Sequence, residues 1–185
     1  MRALVSPELD QLSLELALLP PWRLARTVEA SPHKKRILER LDFVRRFFPE
    51  LDGTTIRVGL AKKPGVLGWG SLDPDHPGIW VRPRRCDRFT IAHELTHLLQ
   101  ARELVPGGER SCDLFALARS PLLIDSAPQY LRMPPCVRVA TKLEPAWAHI
   151  LNRMAKSALE ARVLGRRDYL RGFERAIEIA FQDRA

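Results

Sequence analysis

The stretch Arg88-Phe89-Thr90-Ile91-Ala92-His93-Glu94-Leu95-Thr96-His97-Leu98-Leu99 decides how this chain is read. Ile91, Leu95, Leu98 and Leu99 recur at the spacing of one helix face, and Asp87 ahead of them suits an N-cap. A helix is therefore expected from about Arg88 to Leu104. On that helix His93 and His97 lie one turn apart on the same side, where two imidazoles can chelate one zinc ion. Glu94 then stands beside the metal and not on it, placed to take a proton from metal-activated water and pass it to a leaving amine. With five His in 185 residues, a chance His-Glu-x-x-His match is expected roughly 0.01 times. The alternative is a buried helix that carries two incidental histidines.

Two histidines do not complete a catalytic zinc site, which takes three protein ligands and keeps one position open. His149, the only histidine after His97, falls in a predicted C-terminal helix. The candidate carboxylates are Glu103, Glu109, Asp113 and Asp125. Glu103 lies too far along the motif's own helix to turn back to the metal. Glu109 opens the next helix after Pro106-Gly107-Gly108, a turn that can bring it antiparallel across the first. Asp113 follows one turn deeper on the same face. The pair suits a ligand and a supporting carboxylate that accepts the free N–H of a ligand imidazole.

His93-Glu94-x-x-His97 followed by Glu109-x-x-x-Asp113 resembles the gluzincin clan of zinc metallopeptidases. The stretch Glu109-Arg110-Ser111-Cys112-Asp113-Leu114-Phe115-Ala116 is similar to the ExxADxxA segment of CAAX-prenyl-protease and HtpX-like peptidases. It also resembles the corresponding segment of ImmA/IrrE-type peptidases, which usually carry Asn in place of Asp113. The small minigluzincins are the nearest architectural likeness, and the resemblance covers roughly residues 54–125. It implies one zinc ion held by His93, His97 and Glu109, with Glu94 as general base and acid and Asp113 behind a ligand histidine. It further implies that the strand before the motif helix, about Gly78–Arg82, forms the cleft rim. There Trp80 or Arg82 would line the cleft, or Trp80 would pack under the sheet, and an exposed edge could bind an extended peptide by β-augmentation. A residue polarising the substrate carbonyl is expected, with His149, Tyr130 and Arg132 as candidates. Cys112 stands where a small residue is usual: either a small buried side chain or a thiol that tunes the zinc site. Cys86 is a weaker candidate for a zinc-ligating thiol.

Around the motif the chain reads as α+β. Thr54–Leu60, Gly65–Leu72 and Gly78–Arg82 have strand character, with Asp73-Pro74-Asp75-His76-Pro77-Gly78 as a turn between the last two. A small, mostly antiparallel sheet of three to four strands is expected, packed on the motif helix and a glutamate helix. Residues 6–19 suggest a short amphipathic helix stopped by Pro20-Pro21. Ser31 and Pro32 suit the start of a helix carrying Ile37, Leu38, Leu41, Val44, Phe47 and Phe48. The glutamate helix is expected to stop at Ser120-Pro121, and residues 121–138 read as irregular or short helical structure. Residues 140–181 read as two amphipathic helices joined near Gly165. The division expected is a helical segment over 1–50, a zincin-like core over 51–138 and a helical segment over 139–185.

Composition excludes several classes. Hydrophobic residues at 45% and charged residues at 28% argue against disorder. Three cysteines without CxxC spacing point to a reducing compartment, so a cytoplasmic protein is expected. No apolar run is long enough to span a bilayer. The net charge of +8 and pI near 10.0 either reflect a solvated Arg-rich surface or steer the protein to an anionic partner. The expectation is a zinc peptidase acting on a peptide or protein substrate. Its rivals are a non-catalytic or latent zinc protein that binds a partner segment, and a DNA-linked regulator.

Overall fold

The computed structural model describes residues 20–61, 68–84, 86–140 and 142–182, with residue 69 described by its backbone alone. The helix expected over 6–19 and the first three residues of the strand expected over 65–72 lie outside these residues. The elements run β1 (Trp22–Leu24), α1 (Arg26–Glu29), α2 (Lys34–Arg45), β2 (Ile56–Leu60), β3 (Gly68–Gly70), β4 (Gly78–Val81), α3 (Arg88–Ala101), α4 (Glu109–Arg119), α5 (Pro135–Val139), α6 (Pro145–Val163) and α7 (Tyr169–Gln182). Short 3₁₀ turns sit at Pro49–Leu51 and Pro121–Leu123. No helix among the described residues is long and apolar enough to cross a membrane.

The α+β mixture is observed, but the expected antiparallel sheet is not. The order is β1-β2-β4-β3, in which β1, β2 and β4 are all parallel and only β3 at the edge is antiparallel. The chain does reverse direction from β2 to β3 to β4, as short connections require. What differs is the order in space. β4 brings Ile79 and Val81, both buried, beside Val58 and Leu60 of β2 and so takes the interior place. β3 meets α3 through Gly68 and Gly70, which bring no side chain to the helix layer, and it takes the edge. β1 is too short to show alternation in the sequence. It enters parallel because α1 and α2 carry the chain back across the sheet before β2 begins.

Most helices follow the apolar spacing. In α2, Ile37, Leu41 and Val44 are buried, and the following Phe48 closes that face. The helix starts at Lys34, later than Ser31-Pro32 suggests, because the Ser31 hydroxyl accepts from the His33 amide (3.2 Å) in a local turn. α6 and α7 are separated at Gly165, whose φ of 90° is a left-handed conformation that favours glycine. Val28, Leu41, Ile79, Leu95, Leu117, Leu151 and Phe173 belong to one buried cluster, so the terminal helices share the core of the sheet.

α3 is the central element and is buried on nearly every side. Its start departs from expectation. Asp87 occupies the N-cap position without capping through its side chain, and it faces Arg40 at 3.6 Å. The capping carboxylate comes from Asp125, whose two oxygens accept from the Arg88 amide (3.0 Å) and the Phe89 amide (3.1 Å). Asp125, a candidate metal ligand from the sequence, is thus occupied in tying the loop after α4 to the start of α3. Asp125→Ala is expected to cost about 1 kcal/mol in denaturant unfolding, and Asp87→Ala clearly less. Equal losses would contradict this assignment.

Candidate metal centre

Burying a helix that carries His93, Glu94 and Thr96 creates a demand for polar partners, because unpaired polar groups in a core are costly. Thr96 meets it locally, donating to the Ala92 carbonyl at 2.8 Å. His93 meets it through α4: its Nδ1 lies 2.8 Å from Asp113 Oδ1 and its Nε2 lies 2.9 Å from Glu109 Oε2. His97 Nε2 lies 3.3 Å from the same Glu109 oxygen. His93, His97, Glu109 and Asp113, singled out from sequence spacing, are therefore brought together. α4 can present both acidic residues because Gly108 takes a φ of 97° at its start, which an L side chain would resist.

Asp113 is 1% exposed and uses both oxygens, the second accepting from the Tyr130 amide at 2.7 Å. The Tyr130 ring stacks on His93 with centroids 5.5 Å apart and planes 21° apart. Of the three carbonyl-polarising candidates, Tyr130 alone lies against the motif histidines. His149 is exposed on α6, and Arg132 is exposed with its amide donating to Glu174.

Sequence reasoning missed Gln100. Its Oε1 lies 2.9 Å from His97 Nδ1, while its Nε2 donates to the carbonyls of Pro106 (2.6 Å) and Gly108 (3.0 Å). One amide thus orients a ligand ring and holds the turn that delivers Glu109. A glutamine one turn beyond His97 on the same helix was the available signal.

Asp113 and Gln100 together fix the chemistry of the two imidazoles. An Nδ1 that donates to the neighbouring oxygen leaves the Nε2 lone pair of each ring available to a cation on the Glu109 side. Cys112 is the other neighbour, with Sγ 3.2 Å from His97 Nδ1. His93, His97 and Cys112 form a group that could hold a metal ion, with one ligand atom from each lying within 4.8 Å of the others. The sulfur nevertheless addresses the nitrogen that Gln100 already engages. Burial, followed by the charges of Glu109, Asp113 and Glu94, pushes its thiol pKa up. Cys86 lies elsewhere, buried beside the start of α3, with burial pushing its thiol up to about 12; its carbonyl accepts from Arg40.

Glu94 is 5% exposed, and its Oε2 has no hydrogen-bond partner. Burial, reinforced by Glu109 and Asp113 and opposed by His93, raises its pKa to about 7. For His93, burial pulls the pKa down, but the Asp113 hydrogen bond and the charges of Asp113, Glu94 and Glu109 outweigh it, so the result is a rise. His97 is shifted down, first by burial and then by His93. Two Nε2 atoms close to one Glu109 oxygen form a donor set that fits a divalent cation such as zinc, and the buried, unpartnered Oε2 of Glu94 is a polar group that such a site would engage.

β3 roofs this arrangement. A Cβ on Gly68 would come within 2.4 Å of Glu94 Oε1, and one on Gly70 within 2.7 Å of both the Glu94 carbonyl and His97 Cβ. These two glycines therefore allow the strand to lie against the motif. The expected cleft rim is corrected accordingly: Gly78–Arg82 is the interior strand and its continuation, and β3 is the edge. By register Trp80 is opposite residue 69, on the sheet face away from α3, and it lies over Gly59. Trp80 therefore does not line the site.

Comparison with protein-family models, curated proteins and solved structures found no match. Gln100→Leu is expected to weaken zinc binding by about 10–100-fold in a chelator competition while the fold is retained. Unchanged affinity would show that His97 and Glu109 are positioned without it.

Proposed function

We propose that this chain is a zinc-dependent peptide hydrolase of gluzincin type. His93, His97 and Glu109 hold the metal, Asp113 and Gln100 orient the two histidines, and Glu94 is the general base and acid. The observation that carries the reading is the convergence of both Nε2 atoms on Glu109 Oε2, together with the buried Glu94 Oε2 that has no hydrogen-bond partner. The sequence likeness to gluzincins supports the same ligand set, and Glu109 is preferred to Cys112 because it faces the free nitrogens of both rings.

When bound, zinc supplies a Lewis acid that acidifies water and polarises a carbonyl. The remaining steps belong to the chain. Glu94, with a pKa raised to about 7 by burial, can accept a proton from water and release it to the departing amine near neutral pH. The β3 roof keeps bulk water from that carboxylate. Tyr130 retains its proton, since burial and the charges of Glu109, Asp113 and Glu94 raise its pKa. Its hydroxyl can therefore donate to charge developing on the substrate carbonyl oxygen. The outer edge of β3 has no strand partner among the described residues, which leaves backbone groups to align an extended peptide.

Glu94→Gln is expected to keep zinc and to lower hydrolysis of an unstructured protein such as casein by about 10²-fold or more. An equally active variant would end the mechanism. Wild-type protein that binds zinc and hydrolyses nothing would favour a non-catalytic zinc protein.

A further inference from the structure

A groove of about 1280 Å³ runs between α7 and residues 129–138. α7 turns Phe173, Ile177 and Phe181 into the core. Arg171, Arg175 and Glu178, at helical spacing, stand along the groove. Arg132 and Arg138 contribute from the opposite wall, and buried Leu131 and Met133 add apolar surface. Glu174 is already engaged, paired with Arg110 at 2.7 Å and accepting from the Arg132 amide. Among the described residues, the guanidinium groups of Arg132, Arg138, Arg171 and Arg175 have no hydrogen-bond or ion-pair partner. Four unengaged cations thus share one concavity with a single unengaged carboxylate, Glu178.

The groove adjoins the metal centre. Tyr130 lines it and stacks on His93, and Arg110 lines it immediately after Glu109. The centre is also open on this side: Tyr130 is 50% exposed and the Glu109 side chain 48%, while His93, Glu94 and Asp113 are covered. A ligand reaching the metal past these two residues meets the groove next.

We infer that this groove binds an acidic, partly apolar peptide segment, which would make the substrate a chain carrying Asp or Glu beside the cleaved bond. That this peptide is the substrate rests on the hydrolase reading, whereas its binding rests on the groove alone. Carboxylates match unengaged guanidiniums in bidentate geometry, and the apolar wall accepts aliphatic side chains between them. Phosphate-rich nucleic acid fits less well, since the carboxylates of Glu174 and Glu178 line the same groove and Tyr130 is already stacked on His93.

The test is fluorescence anisotropy on the full chain carrying Glu94→Gln, using a labelled peptide of alternating Glu and Leu. A matched Lys-Leu peptide and an oligothymidylate of equal charge serve as comparisons. The Glu-Leu peptide is expected to bind, the Lys-Leu peptide not to bind, and Arg171→Glu with Arg175→Glu to weaken binding by about tenfold or more. Zinc content should stay unchanged in that variant. Charge-blind binding, indifference to the arginine reversals, or displacement of the peptide by oligothymidylate would overturn the inference. Casein hydrolysis by the wild type, measured in parallel, separates the two claims. Hydrolysis with charge-blind binding removes the groove, whereas acidic-peptide binding without hydrolysis keeps the groove and removes the hydrolase reading.

Discussion

The buried carboxylate of Asp113 holds three parts of the molecule to one another: α4, on which it sits, His93 of α3, and the backbone at Tyr130. A charge this deeply enclosed is tolerated only when each oxygen is engaged, and removing one partner of a buried pair typically costs about 3–5 kcal/mol. The constraint therefore works in both directions. It sets the rotation of α4 about its axis, which places Glu109, one turn earlier, over the Nε2 atoms. It also sets the tautomer of His93 and positions the Tyr130 ring. Gln100 does the equivalent for His97, from within α3, by holding the Pro106–Gly108 turn. The two imidazoles are thus oriented from behind by one carboxylate and one amide, and the open side of the proposed metal centre is left to Glu109 and Tyr130.

Much of this was legible from spacing alone. Residues three or four apart on a helix share a face, so the pairs His93/His97 and Glu109/Asp113 could be read directly. The Pro-Gly-Gly break between them implied a return of the chain. The sheet was less legible, because strand order depends on which strand has side chains to bury. Gly68-Trp69-Gly70 lies between β2 and β4 in the chain, yet β2 pairs directly with β4 and this strand takes the edge. β1 carried no periodic signal, and the capping of α3 by Asp125 is a contact across 36 or 37 residues that no local pattern encodes. Gln100 lay in plain sight, but its role depends on where the following turn passes.

The basic surplus divides in a way that composition could not show. Arg45 donates to the carbonyls of Pro21, Leu51 and Thr54, Arg102 to Glu50, and Arg36 and Arg40 to Pro83 and Cys86. Arg119 reaches Phe47 and Glu50. These guanidiniums serve as struts that satisfy backbone oxygens in loops and in the 3₁₀ turn at Pro49–Leu51. The arginines around α7 and residues 129–138 have no such role. The charge in this part of the chain is available for a ligand, and it lies beside the open side of the metal centre.

The central claim is that His93, His97 and Glu109 hold one metal ion. It is tested most directly by metal analysis of untagged wild type, Glu109→Gln and Cys112→Ser prepared in parallel. About one zinc per chain is expected in the wild type, retained by Cys112→Ser and lost by Glu109→Gln. Zinc that survives the loss of Glu109 and disappears with Cys112 would contradict the account, moving the metal to the thiol and leaving the hydrolase reading without its third ligand.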